Sequence, residues 1–94
     1  MVKYPVSFSV KPYWGKDEKR RRQFACDAHA SSRIIKYIND KMKDHEFRTF
    51  LYSDISAELN ISVDVVERIL FPVDGGHGGI TVHNPQLPGG GGRD

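Results

Sequence analysis

Tyr52-Ser53-Asp54-Ile55-Ser56-Ala57-Glu58-Leu59-Asn60-Ile61-Ser62-Val63-Asp64-Val65-Val66-Glu67-Arg68-Ile69-Leu70 reads as two short helices joined by a tight turn. A serine oxygen accepts from the free amides of a helix's first turn, so Ser53 is a candidate cap for the first helix and Ser62 for the second. Asn60 falls between them, where a residue tolerant of the left-handed conformation is wanted. Ile55, Leu59, Val66, Ile69 and Leu70 are spaced to meet in one small core.

The chain after this stretch predicts a hairpin. Pro72 lacks an amide and is expected to close the second helix. Phe71-Pro72-Val73-Asp74 and Gly79-Ile80-Thr81-Val82-His83 read as two strands, with Gly75-Gly76-His77-Gly78-Gly79 as their tip. Together these elements resemble a winged helix-turn-helix DNA-binding domain. Asp54-Ile55-Ser56-Ala57 followed by Leu59-Asn60-Ile61-Ser62 carries the likeness, which covers about residues 31–83. Ser56 stands where that family often has alanine, and Asn60 where it often has glycine. The resemblance implies an α+β fold: a three-helix core with a C-terminal β-hairpin wing. It also implies double-stranded DNA as partner and a small transcriptional regulator, expected as a homodimer, with helix 62–71 in the major groove. Ser62, Val63, Asp64, Glu67 and Arg68 would then face bases and phosphates, with His77 at the wing tip.

Charge complicates that expectation. Residues 1–50 carry 12 Lys+Arg against 6 Asp+Glu, and residues 51–94 carry 2 against 6. The basic half is not the half with the paired helices. Asp64 and Glu67 would sit against phosphate, so DNA binding calls on cations elsewhere: Arg20, Arg21, Arg22, Arg33, Lys36 and Arg48, or Lys3 and Lys11 on an N-terminal arm. The alternative is a protein-interaction module without DNA binding. It would meet a basic partner through the acidic face of Asp54, Glu58, Asp64 and Glu67, or pair chains through the apolar stripe from Phe24 to Met42.

Upstream, Val6, Phe8 and Val10 alternate with polar residues between Pro5 and Pro12, predicting a strand or arm over residues 1–15. Tyr13-Trp14-Gly15 turns the chain, and Trp14 is expected to pack. Lys16 to Gln23 is a charged run, read either as a solvated helix start or as a phosphate-contacting patch. Phe24, Ala28, Ser31, Ile35, Ile38 and Met42 recur at helical spacing, widened by Ile34, and the pattern leaves a break near residues 27–32 open. The winged-helix resemblance also implies a short strand before the paired helices, for which Arg48-Thr49-Phe50-Leu51 is the candidate, and Phe47 and Phe50 are expected in the core. The domain is expected over residues 16–83, and residues 84–94, with two prolines and Gly89 to Gly92, as a disordered tail.

Ninety-four residues suffice for one modest core, with stability on the order of 5 kcal/mol. No apolar run approaches the roughly 20 residues needed to span a bilayer. Cys26 is the single cysteine, which fits a reducing, cytoplasmic setting. His29, His45, His77 and His83 show no zinc-ligand spacing, and no nucleophile–base pair is evident. No metal, cofactor or enzyme activity is therefore expected.

Overall fold

A computed structural model describes residues 2–74 and 78–86, with the Asp74 side chain left aside. The element order is β1 (Val2–Lys3), α1 (Glu18–Met42), β2 (Phe47–Leu51), α2 (Tyr52–Leu59), α3 (Val63–Asp74) and β3 (Gly79–His83). The fold is α+β: three helices against one three-stranded sheet of order β1-β3-β2.

Helix α1 runs unbroken for 25 residues, about 37 Å. Asp17 starts it, its side chain accepting from the amides of Lys19 and Arg20, and Glu18 lies at the positive end of the helix dipole. Its buried face is Asp27, Ala30, Ser31, Ile34, Ile38 and Met42. Ile34, not Ile35, points inward, so the core stripe is rotated from the predicted one and passes through Asp27.

Helix α2 begins at Tyr52, directly after β2, and Leu51 at its N-cap supplies no side-chain bond. Ser53 is therefore inside the helix and does not cap it. Asn60 ends α2 at φ 55, in the left-handed region. The Ser56 hydroxyl crosses the turn to the Ile61 carbonyl at 2.5 Å, while the Ile61 amide donates to the Ser56 carbonyl. Ser62 starts α3: its Oγ accepts from the Asp64 amide, and its carbonyl accepts from Val65 and Val66. A β-branched residue is costly in the left-handed region, by about 1–2 kcal/mol, whereas glycine is not. Asn60→Val should therefore lower stability by that amount and Asn60→Gly should leave it within about 0.5 kcal/mol. Urea denaturation reads the difference, and equal midpoints for the two variants would contradict it.

The C-terminal hairpin does not form as predicted. Phe71–Asp74 is the last turn of α3, with Pro72 inside the helix. So late in a helix, proline's missing amide forfeits only the bond to the Arg68 carbonyl, and the helix continues through it. Strand β3 pairs antiparallel with β2, from Phe47 opposite His83 to Leu51 opposite Gly79. Its other edge, where a second wing strand would lie, takes β1 in parallel, Val2 beside Val82 and Lys3 beside His83. Gly79 has no room for a side chain, because a Cβ would sit 2.6 Å from the Phe50 carbonyl oxygen. The proposed tip, Gly75-Gly76-His77, lies outside the described residues.

The N-terminal strand is Val2–Lys3, not Val6–Val10. Residues 6–10 run irregularly over α1, because Asn39 captures both backbone groups of Val6. Its Oδ1 accepts from the Val6 amide at 2.7 Å and its Nδ2 donates to the Val6 carbonyl at 3.1 Å. Those bonds replace a strand partner and bury the Val6 side chain.

The tail boundary also moves. Asn84 is buried, donates from Nδ2 to the Met42 carbonyl, and accepts from the Gln86 amide. It closes the C-terminal end of α1 and belongs to the fold, while residues 87–94 lie outside the described residues. The core joins Ile34, Ile38 and Met42 of α1 to Phe50, Ile55, Val66, Leu70, Ile80 and Val82. Phe47 is half exposed and stacks on His83 at 4.3 Å instead of entering it. Trp14, expected to pack, is 86% exposed. No helix among the described residues is long and apolar enough to cross a membrane.

Candidate functional site

The outward face of α3 is built from Val63, Asp64, Glu67, Arg68 and Phe71, which helical spacing lines up over two turns. Asp64, Glu67, Arg68, Phe71 and Pro72 line a shallow groove of about 510 Å³. Val63 and Phe71 are exposed apolar residues on this face. Their partners in helix geometry point inward: Val66, Ile69 and Leu70 are buried and hold α3 in place.

Arg68 is partly exposed but tied to α1. Its Nε donates to Asp27 Oδ2 at 3.0 Å and its Nη2 to Asp27 Oδ1 at 2.5 Å. This is a two-pronged guanidinium–carboxylate pair, a geometry that fixes both partners. The Asp27 side chain is only 8% exposed and that of Arg68 42%. The hydrogen bond to Asp27 is the main reason the guanidinium is pushed above its ordinary value, against the opposing effect of burial. Asp64 and Glu67, in contrast, form no ion pair among the described residues. The face is therefore acidic and apolar, its one arginine already neutralised.

The other predicted cations are scattered. Arg33 donates to the Leu59 carbonyl at 2.8 Å and so holds the end of α2. Arg48 lies over the Phe50 ring, 4.9 Å from its centre. Arg20, Arg21 and Arg22 are exposed on the first turns of α1. Arg20 lies near Asp17 and over the Tyr13 ring, and Arg22 pairs with Glu18 at 3.5 Å. Arg21 has no carboxylate partner among the described residues, and it lines a groove with Tyr13, Trp14, Lys16 and Phe24. Ser62 is spent on capping α3, and His77 lies outside the described residues. Among the described residues, the α3 face and the start of α1 are thus the places that gather several predicted residues.

Sequence reasoning missed Asp27. The signal was present: an acidic residue at position 27 falls in register with the buried stripe of Ser31, Ile34 and Ile38, and a carboxylate there requires a cation. Tyr37, which the stripe places on the wetter side of its helix, is half-buried, its ring edge-on to that of Phe50 at 6.0 Å. Burial, then Glu58, pushes its hydroxyl above the ordinary tyrosine range. Among the described residues no cluster of His, Cys, Asp and Glu is arranged to hold a metal. The chain matches no protein-family model, no curated protein and no solved structure.

Proposed function

We propose that this chain is a non-enzymatic protein-interaction module that docks a basic partner segment on the outer face of α3. The observation that carries this is the Asp27–Arg68 pair. With Arg68 held, the face offers carboxylates at Asp64 and Glu67 beside exposed Val63 and Phe71. Such a surface repels phosphate and suits arginine or lysine with apolar neighbours. The lone thiol of Cys26, exposed to solvent, fits a reducing cytoplasm.

The test is fluorescence anisotropy with a labelled peptide of alternating arginine and tryptophan. The protein should bind it, and Glu67→Lys should weaken binding at least tenfold, about 1.4 kcal/mol. Binding that ignores Glu67→Lys, or no binding at all, rejects the α3 face as a basic-partner site.

A second reading is double-stranded DNA binding by a small regulator of the winged helix-turn-helix kind. What favours it is the exposed cluster Lys16, Lys19, Arg20, Arg21 and Arg22 at the start of α1, together with the three-residue turn between α2 and α3. The same titration with random duplex DNA at low and moderate salt separates the two. Affinity that falls steeply with salt would support DNA, because phosphate contacts release counterions.

A further inference from the structure

The two surfaces with unspent chemistry lie on either side of the α1–α3 contact. One is the α3 groove with Asp64, Glu67 and Phe71. The other is the start of α1 with the preceding turn, where Trp14 is 86% exposed and Arg21 has no carboxylate partner among the described residues. The Asp27–Arg68 pair and one further groove lie between them. Arg68 lines the α3 groove, while Asp27 lines a second groove with Tyr13, Arg20 and Phe24. Arg20, Phe24 and Asp27 follow one another on one side of α1, so the basic patch begins about 10 Å along the helix from that pair.

The patches are opposite in charge, and each carries an exposed aromatic ring. Trp14 and Phe71 do not cover each other within one molecule, since both remain in solvent. Complementary patches on one molecule are what a two-fold interface uses: the first patch of each copy meets the second patch of the other, and the contact is made twice. Doubling matters because a stable interface buries on the order of 1,000 Å² or more, which a single shallow groove does not supply. Tryptophan and arginine are also the residues that most often anchor such contacts.

We propose that the α3 groove of one copy receives the Trp14–Arg21 segment of a second copy, and reciprocally, to form a symmetric dimer. This rests on the reading of the α3 face as a protein-docking surface and names the partner as the chain itself. The charge imbalance between the two halves of the sequence thereby becomes complementarity between copies.

Sedimentation velocity of the full chain tests it at low and high salt. A dimer is expected at low salt, dissociating toward monomer at high salt as exposed charges are screened. Trp14→Ala should raise the dissociation constant at least tenfold while the far-ultraviolet circular dichroism stays unchanged, because so exposed a ring holds nothing in the monomer. Glu67→Arg and Arg21→Glu should each weaken the dimer. An equimolar mixture of the two single variants should recover association, because opposite charges then face each other again in both contacts. The double variant Glu67→Arg/Arg21→Glu should recover it for the same reason. A chain that stays monomeric at low salt overturns the proposal. So does a dimer indifferent to Trp14→Ala, or single-variant losses that the double variant fails to restore. A monomeric chain that still binds the arginine–tryptophan peptide at Glu67 removes the second copy as partner and leaves the docking surface standing. A monomer that binds no peptide removes both.

Discussion

Arg68→Ala should lower the stability of the domain by about 2–3 kcal/mol, a large share of the roughly 5 kcal/mol a domain of this size has to lose. The reason is what the substitution leaves behind. Asp27 is 8% exposed and accepts both bonds from Arg68, so removing the guanidinium strands a carboxylate between α1 and α3. Breaking a fully buried pair costs about 3–5 kcal/mol. Arg68 is 42% exposed, so water reaches the site and the loss is placed below that range. The melting temperature should fall by roughly 4–8 °C for each kcal/mol lost. Urea denaturation of Asp27→Ala, Arg68→Ala and the double variant measures the coupling, expected at about 1–2 kcal/mol. Additive single-site effects would mean that the pair does not tie the two helices together. The result also bears on function, because a purely DNA-facing arginine would change binding and leave stability nearly untouched.

Ile55→Ala should remove a comparable or larger share, leaving the domain marginal near physiological temperature. Helix α2 has eight residues and no side-chain N-cap. Isolated helices shorter than about 12–15 residues are marginal in water, so α2 exists because it is packed. Ile55 and Tyr52 are its buried residues, and Ile55 is fully enclosed. Truncating such an isoleucine to alanine costs about 2–5 kcal/mol through lost transfer energy and the remaining cavity. Ile55→Val removes one methylene and should cost about 1 kcal/mol. Thermal melts followed by circular dichroism distinguish the two. An alanine variant melting within a few degrees of the parent would show that α2 is not held by this side chain.

What could be read from the sequence was what local chemistry specifies. Asn60 in the left-handed turn, Ser62 at the start of α3, and the inward set Ile55, Val66, Ile69 and Leu70 all follow from spacing and side-chain type over a dozen residues. The wing did not. Pro72 reads as a stop, but in the last turn of α3 a missing amide forfeits one bond. The strand beside β3 came from the opposite end of the chain. Val6, Phe8 and Val10 alternate better than Val2–Lys3, yet two bonds from Asn39, 33 positions away, hold Val6 out of the sheet. Exposure followed the same rule. Trp14 has the composition of a core residue and no neighbour close enough in the fold to cover it. At the candidate site, residue types on α3 gave the acidic face directly. The neutralisation of Arg68 depends on a residue 41 positions earlier, and no local pattern contains that.

Strand β1 is two residues long, and it covers the Val82–His83 end of the β3 edge. Val2 and Val82 are 80 positions apart, so their parallel pair is a contact of very long sequence range. Without that pair, the Val82–His83 end of β3 would offer unpaired backbone groups to any extended segment nearby. Contacts of such long range form late, because closing the loop costs entropy before the contact repays it. Strand β1 thus adds little area, and it gives the Val82–His83 end of β3 a partner within the fold, which leaves that edge less open to foreign strands.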